Sequence, residues 1–424
     1  MRTGESTGSL WRDRDFMLLW SGRTVSLFGS QISWLALPVV AVVVLKASAF
    51  QIAALGALSA LPSLLVSLPA GVLVDRVRKR QLMICCNLGA ALAMGSIPLA
   101  AAFGHVTYLQ LCAVGLVTGS LGVVFDAASA SLLPLLLGGR GLVDANGRMN
   151  TARALAEMAG PSIGGFLIGL AGAARAITAD ALSYLLSATA LAATRFREPV
   201  PTPTAAGPAT VRADIVAGLR LVLGHPLLRV ISLSGAVSAL LLRGVSSVWL
   251  LYVIRELHWS VRTAGLVYGL SLIGGVIGGM ATGRIVARIG TGRTMILGAL
   301  LSGPFELVTP LVHPGPAGPW IVAVVFTSLT AAGMLYATAS GTVQQLVCPP
   351  EMLGRMNGSS RFLQLGALPL GPLAAGALAT WTGLRPTLFV LAGLTLLWPA
   401  ILLASPLRGM RAVPVHRAYV SAAA

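Results

Sequence analysis

Four acidic residues interrupt long apolar stretches of this sequence, and carboxyl groups in such positions can bind and release protons. They are Asp126, Glu157, Asp180 and Glu306. An ionised side chain deep in a bilayer costs at least about 2.5 kcal/mol, so a residue of this kind needs a partner or a use. Desolvation favours the neutral form of a carboxyl group, which is the property that a proton-coupling residue requires.

The spacing around Glu157 is compatible with two roles. Glu157 lies one helical turn before Gly160 and Pro161, on a segment expected to line a cavity, where it would act as a proton-coupling group. Arg153 stands one turn earlier on the same helical face, so a local ion pair is the alternative. Glu306 lies in a separate apolar segment and is the second proton-coupling candidate.

The other two acids are expected to have partners. Asp126, in FDAASASLLP, is placed toward the cytoplasmic end of its segment, within reach of the basic residues 76–80. We therefore predict that Asp126 is a partner of that cluster, with a proton site as the alternative. Asp180 is expected to pair with Arg175 or to stand at the start of a helix.

Arg243 is a cation in the middle of an apolar segment, so it needs an acid or a cavity. It is predicted to be a counter-charge for Glu157 or Glu306, or a contact for an anionic substrate. Other polar or aromatic residues in apolar segments could line the same cavity or merely tie helices together. The predicted cavity residues are Gln31, Trp34, Arg243 and Gln344.

Signatures of catalysis are missing from the sequence. GRGLVDANG lacks the G-K-[ST] ending of a phosphate-binding loop, and neither H-E-x-x-H nor a nucleophile elbow occurs. The five histidines lie at loops or helix ends, and the four cysteines lie in or beside apolar runs. We expect no enzymatic activity, no metal and no cofactor. Any step that requires energy is expected to be driven by an ion gradient rather than by ATP.

The elements that carry these residues are membrane helices. Hydrophobic residues make up 56% of the chain, charged residues 10%, and mean hydropathy is +0.84. This composition is far from that of soluble domains. The formal charge of +17 is scattered over helix ends without interleaved aromatic residues, so nucleic-acid binding is not expected.

A bilayer core of about 30 Å needs about 20 apolar residues per helix. Six such segments precede a proline-rich stretch at residues 196–213, and six follow it. The sequence therefore predicts an all-α membrane protein of 12 transmembrane helices in two pseudo-symmetric six-helix bundles. The predicted parts are a cytoplasmic tail (1–15), a first bundle (16–195), a cytoplasmic linker (196–213), a second bundle with a leading amphipathic surface helix (214–405), and a cytoplasmic tail (406–424).

The distribution of basic residues predicts the orientation. With a cytoplasmic N-terminus, most Lys and Arg residues lie on the cytoplasmic side, as the positive-inside rule requires. The prediction is a multi-pass protein of the cell membrane with both termini in the cytoplasm.

Two phrases occur in both halves of the sequence. PAGVLVDRVRKR, at Pro69–Arg80, is echoed by GRIVARIGTGR at Gly283–Arg293, and GRMN occurs at Gly147–Asn150 and again at Gly354–Asn357. Near-constant spacing between the copies indicates a parallel duplication of two bundles that face each other across a cavity.

The pattern G-x-x-x-D-R-x-x-R-R in the first copy, together with six plus six helices and a central linker, resembles the major facilitator superfamily over essentially the whole chain. The resemblance implies a cytoplasmic gate. Arg78 stands where glycine is frequent in the family and Lys79 where arginine is. In the second copy Ala287 replaces the acid, so the gate is expected to be asymmetric. The predicted gating residues are Gly71, Asp75, Arg76, Lys79, Arg80, Asp126, Gly283 and Arg288.

Physical roles follow for the first copy. Gly71 is expected to let two helices approach closely. Arg76, Lys79 and Arg80 are expected to bridge to helix ends or carboxylates of the other half. A plain basic anchor at the membrane surface is the alternative.

AGPSIGGFL, at residues 159–167, resembles a signature of exporters and antiporters in this superfamily. Its residues are Gly160, Pro161, Gly164 and Gly165. The alternative is ordinary packing of small residues between helices.

LWSGRTVSLFGSQIS, FDAASASLLP and LVDANGRMNTARALAEMAGPSIGGFL resemble the branch that holds macrolide and other drug efflux proteins and the enterobactin exporter. The resemblance implies proton-coupled alternating access, by a monomer in the bilayer, that exports a small amphipathic compound such as a drug, secondary metabolite or siderophore. An importer or symporter, or a non-transporting membrane sensor or scaffold of the same fold, is the alternative.

Overall fold

The computed structural model describes residues 10–138, 141–196, 198, 208–348 and 352–409. These residues form helices and connecting turns, with no strand among them, as predicted. The terminal residues 1–9 and 410–424 and most of the predicted linker therefore lie outside the described part of the chain.

The described residues of the first half of the chain form seven helices. They are α1 (Arg14–Val39, continued by a π-helical turn, Val40–Val44), α2 (Ala49–Leu65), α3 (Ser67–Arg76), α4 (Lys79–Ala102), α5 (Tyr108–Leu137), α6 (Leu142–Ala171) and α7 (Ala173–Ala192). Side chains cap some of their first turns. Asp13 accepts the N–H of Phe16 at 3.0 Å before α1, as expected for an N-cap residue.

Nine helices follow in the described residues of the second half. They are α8 (Pro208–Gly224), α9 (Pro226–Arg255), α10 (Val261–Ile289), α11 (Thr291–Val308), α12 (Gly318–Val347), α13 (Leu353–Ala367), α14 (Leu370–Thr382), α15 (Leu384–Thr395) and α16 (Leu397–Leu403). Short 3-10 turns lie at Thr309–Leu311 and Pro406–Gly409.

Ten helical segments of the described chain are long and apolar enough to cross a membrane. The α2–α3 pair and α7 are consistent with the predicted total of twelve. Three predicted spans are divided near prolines. Pro69 follows the α2–α3 break, Pro369 lies at the α13–α14 break, and Pro399 follows the α15–α16 break. Each proline lacks the N–H that would bond to the preceding turn.

The described chain separates into two compact units. Unit 1 falls within Met1–Ala47, Leu58–Thr204 and Ser260–Leu266, and unit 2 within Ser48–Ala57, Ala205–Trp259 and Val267–Ala424. Each unit has its own apolar core. Phe16, Met83 and Phe125 contribute to the core of unit 1.

The core of unit 2 includes Trp398 of α16 and Val222 of α8, which is fully buried. Helix α8, which the sequence predicts to lie on the membrane surface, packs against α9 and α13. Its apolar face is therefore part of the core of unit 2.

Candidate functional site

A cavity of about 210 Å³ opens within unit 1, between α1, α4, α5, α6 and α7. Three of the predicted residues, Gln31, Asp126 and Glu157, line it together. The other polar residues of its wall are Arg23, Ser26, Ser30, Asn87, Arg153 and Tyr184. The structure thus places residues from distant parts of the sequence around one polar space.

Two arginines hold Asp126 in this cavity. One carboxylate oxygen forms an ion pair with Arg23, and the other lies 3.5 Å from Nη2 of Arg153. The Arg23 side chain is only 14% exposed, and its guanidinium lies 4.7 Å from the ring centre of Phe125. The described partners of Asp126 are therefore not the basic residues 76–80, and the predicted pairing with that cluster is wrong.

Arg23 was missed by the sequence analysis. It is a cation within the first apolar span, in LWSGRTVSLF, so the argument that singled out Arg243 applied to it equally. The ion pair joins α1 to α5, which lie far apart in the sequence.

Glu157 lies in the same cavity wall as this charged group. Arg153, its expected local partner, forms its described ion pair with Asp126. The ion pair of Arg153 is therefore with Asp126, and not with Glu157 as the alternative reading of the sequence had it.

The glycines of AGPSIGGFL permit close contact between α6 and α1. A Cβ atom on Gly160 would lie 2.3 Å from Cβ of Gln31, and one on Gly164 would lie 3.2 Å from Cα of Ile32. A Cβ atom on Gly165 would lie 2.9 Å from Cα of Gly265, which belongs to α10 and to the same unit. Helix α6 can approach its neighbours this closely because its residues at these contacts are glycines.

The remaining predicted cavity residues lie elsewhere. Trp34 is 42% exposed and is not part of the cavity wall. Arg243, in α9, is exposed, and Gln344, in α12, is half-buried; both belong to unit 2.

A carboxylate holds the start of α4, where the first copy of the repeated motif ends. Glu198 accepts the backbone N–H of Lys79 at 2.8 Å and of Arg80 at 3.0 Å, and Nζ of Lys79 lies 3.6 Å from Glu198. The Glu198 side chain is only 4% exposed. It satisfies two of the amides that a helix leaves without partners at its N-terminus.

Arg80 binds the end of α7 in the same unit. Its Nε donates to the carbonyl of Leu191 at 3.0 Å, and its Nη2 donates to that of Ala192 at 2.6 Å. We expected Lys79 and Arg80 to bridge to the other half, but their described partners lie in their own half. Glu198 was assigned to the linker and missed as a partner.

The other gating residues are described only in part. Asp75 lies in the last turn of α3, and its side chain is outside the described part of the structure. Arg76 and Arg288 are exposed, and Arg288 is in the last turn of α10, where a cation is favourable. No described atom lies within 4 Å of a Cβ built on Gly71 or Gly283, so the close approach expected at Gly71 is not seen.

The repeated GRMN phrase has a structural role in its first copy. Arg148 pairs with Asp144 at 2.8 Å and lies 4.3 Å from the ring centre of Trp11. Trp20 Nε1 also donates to the Arg148 carbonyl at 3.3 Å. The side chains of Arg355 and Asn357, in the second copy, lie outside the described part of the structure.

Two acids, Asp180 and Glu306, are buried. Asp180 is 0% exposed and accepts a hydrogen bond from Oγ of Ser183 at 3.2 Å. Helix α7 begins at Ala173, so the expectation of a helix-start residue is wrong, and the described hydrogen bond of Asp180 is not with Arg175. Glu306 is 4% exposed and adjoins a much smaller cavity of unit 2.

Comparisons with known proteins cover most of the chain. A profile of the Major Facilitator Superfamily matches residues 19–364 and 232–418. The multidrug efflux pump Tap of Mycolicibacterium fortuitum is 27% identical over 340 residues, which are 78% of this chain and 81% of that protein. The enterobactin exporter EntS of Escherichia coli O1:K1 / APEC is 27% identical over 293 residues, 68% of this chain and 67% of that protein.

Solved structures show the same fold at low identity. The nucleoside transporter NupG (D323A mutant) has a TM-score of 0.73 at 13% identity and covers 91% of this chain and 99% of its own. A bacterial homologue of the iron transporter ferroportin has a TM-score of 0.70 at 18% identity, covering 94% of this chain and 99% of its own.

Proposed function

Since this chain belongs to the major facilitator superfamily and is a multi-pass membrane transporter, we propose that it exports a small amphipathic compound in exchange for protons. The compound is a drug, secondary metabolite or siderophore. The observation that carries this proposal is the polar cavity of unit 1, which lies in a chain whose efflux relatives align over most of its length.

The wall of the cavity suits a compound with both polar and apolar parts. It contains two cations, two carboxyl groups, hydroxyl groups and two amides, together with Leu27, Leu121 and Phe125. The ion pair between Arg153 and Asp126 is half-exposed, so exchanging one partner for a charged group of a substrate costs little. In the proposed cycle, the cavity opens alternately to the two sides of the membrane. Arg243 and Gln344 of unit 2 remain proposed substrate contacts.

Glu157 is the proposed proton-coupling group of the cavity. It lines the same wall as Asp126, while the described ion pair of Arg153 is with Asp126. Binding of a cationic or polar substrate group beside Glu157 would compete with a proton for the same carboxyl group, and such competition is the basis of exchange.

The proposal includes the oligomeric state, the membrane location and the gate of the transporter. The transporter acts as a monomer in the cell membrane with both termini in the cytoplasm, and the lipid bilayer surrounds the exposed apolar faces of its helices. Asp75 and Arg76 are proposed to take part in a gate on the cytoplasmic side.

Transport into inside-out membrane vesicles tests the proposal. Ethidium and enterobactin are offered as separate probes, and a proton gradient is imposed. We expect gradient-dependent accumulation of at least one probe, which the Glu157→Gln variant abolishes at unchanged protein level. Asp144→Asn is the matched control, since Asp144 pairs with Arg148 and is not part of the cavity wall.

Each alternative gives a different result. Proton-coupled uptake in right-side-out vesicles, without extrusion, would support an importer. Absence of substrate-dependent proton flux in proteoliposomes with every probe would favour a sensor or scaffold. Accumulation by Glu157→Gln equal to that of the unmodified protein would refute the role of Glu157.

A further inference from the structure

Four charged side chains line the cavity of unit 1, and two of them are already paired with each other. Arg23 forms an ion pair with Asp126, and its guanidinium lies 4.7 Å from the ring centre of Phe125. The Arg23 side chain is only 14% exposed. Breaking a buried ion pair leaves an uncompensated charge, so this pair resists exchange. A compound that enters the cavity therefore finds Arg23 and Asp126 bound to each other.

Arg153 has hydrogen-bonding capacity left over. Its side chain is 46% exposed, and in its described ion pair Nη2 lies 3.5 Å from the second carboxylate oxygen of Asp126. That distance is longer than a normal hydrogen bond. An arginine has five N–H donors in a planar fork, which can hold a carboxylate by two parallel hydrogen bonds. Arg153 can therefore bind an anionic group in the cavity while Asp126 stays with Arg23.

Glu157 is the second charged group of the wall with capacity left over. It is exposed and has no hydrogen bond or ion pair among the described contacts. Arg153 and Glu157 are four residues apart in α6, so they lie on one face of the helix, about 6 Å apart along its axis. The cavity thus presents a half-exposed cation and an exposed carboxyl group one helical turn apart.

We infer that this cavity selects amphoteric compounds, whose anionic group binds Arg153 and whose cationic group binds Glu157. The inference rests on the proposed export function and narrows its substrate class. The apolar part of such a compound lies against Leu27, Leu121 and Phe125. The volume of about 210 Å³ is below the about 300–1,000 Å³ of most drug-binding clefts, so the compound is small or inserts only its charged end.

Compounds with a single charge fit this wall less well. A cation at Glu157 lies about one helical turn from Arg153, and an anion at Arg153 lies equally near Glu157. Asp126 offsets Arg153 only in part, because the same carboxylate also compensates Arg23. Like charges at such distances repel, and the repulsion grows as water leaves the cavity. An amphoteric compound replaces both repulsions by attractions.

A metal ion fits this wall poorly. Its two carboxyl groups, Asp126 and Glu157, share the wall with two arginines. A group of three His, Cys, Asp or Glu side chains that could hold a metal does not occur in the described part of the chain. Ca²⁺, for example, takes six to eight oxygen ligands. The residues of the wall therefore favour organic ions.

Three compounds that share one ring test the charge preference. Para-aminomethylbenzoic acid carries both charges, its methyl ester carries only the cation, and its N-acetyl derivative carries only the anion. Binding to the purified protein in detergent is measured by calorimetric titration at neutral pH, without a membrane or a gradient. We expect the amphoteric compound to bind at least tenfold more tightly than either of the others. Equal affinities, a preference for a single charge, or no binding of any of the three would overturn the inference.

Substitutions in the cavity assign each charge to its partner. Arg153→Gln should remove the advantage of the amphoteric compound over the ester, and Glu157→Gln its advantage over the N-acetyl derivative. Arg153→Lys keeps a cation and should keep most of the advantage. Arg229→Gln and Glu256→Gln change charged residues of unit 2 outside this wall, so they are the matched controls. An advantage that survives both cavity substitutions would overturn the assignment.

The link to transport is tested separately. In inside-out vesicles, the amphoteric compound should inhibit accumulation of ethidium or enterobactin more strongly than the two singly charged compounds do. Binding without such inhibition would overturn the assignment of amphoteric compounds as the cargo. If the unmodified chain moves neither probe, the export proposal fails, and the titrations still decide whether the cavity selects amphoteric compounds.

Discussion

Replacement of Glu198 by alanine should destabilise unit 1 substantially. The carboxylate accepts two backbone N–H groups at 2.8 and 3.0 Å and lies 3.6 Å from Nζ of Lys79. Hydrogen bonds to a charged group contribute about 1.5–3 kcal/mol each. Removing the side chain also admits water to the amides, which offsets part of the loss. We therefore expect a loss of about 2–3 kcal/mol, near the upper end of measured N-cap effects.

Thermal unfolding of the detergent-solubilised protein measures this loss. At about 2–4 °C per kcal/mol for a unit of this size, Glu198→Ala should lower the transition of unit 1 by about 5–10 °C. Glu198→Gln keeps one acceptor oxygen and should lose about half as much. Lys79→Met leaves the buried carboxylate without its cation but keeps both amide bonds, so its effect should be smaller than that of Glu198→Ala, about 1–2 kcal/mol.

A transition of Glu198→Ala within about 1 °C of the unmodified protein would refute the capping argument. A Lys79→Met variant as unstable as Glu198→Ala would show instead that the ion pair, and not the bond to the helix amides, is the source of the stability. The double variant separates the two, since coupled residues give non-additive losses.

Three further perturbations test other contacts. Asp126→Asn leaves the mostly buried Arg23 without its carboxylate and should cost about 1–3 kcal/mol in thermal stability, while adding Arg23→Met should recover part of the loss. Gly160→Ala should force α6 away from α1 and lower the transition temperature, whereas Gly147→Ala, with no described atom within 4 Å, should not. Burial lowers the pKa of His225, so its contribution to stability is present above about pH 6.5 and declines at lower pH, and His225→Asn should flatten that part of the stability–pH curve.

The sequence predicts the fold well because its strongest signals are local. Apolar segments of bilayer length and the repeated phrases depend on short stretches of chain, and they lead to the correct fold class and family. The divisions of three spans near Pro69, Pro369 and Pro399 were not predicted, although the prolines are present in the sequence. A hydropathy pattern shows how apolar a segment is and does not show that proline removes a backbone hydrogen bond.

The site was predictable only residue by residue. Gln31, Asp126 and Glu157 were each identified, and the structure brings them to one cavity. The partners of the charged residues were not identified, because tertiary packing determines which charged groups come into contact. Arg23 lies 103 residues from Asp126, and Glu198 lies 119 residues from Lys79. Where sequence reasoning used neighbours one turn away, as for Arg153 with Glu157, the structure formed a long-range contact instead.

The contacts of Lys79 and Arg80 reduce the number of residues that can form the proposed gate. Lys79 and Arg80 are held by Glu198 and by the end of α7, so neither is available in this conformation to bridge elsewhere without breaking bonds to its own half. Arg76 is exposed and has no such ties among the described contacts. Asp75 and Arg76 are therefore the residues of this motif that we propose for the gate, whereas Lys79 and Arg80 fix the start of α4.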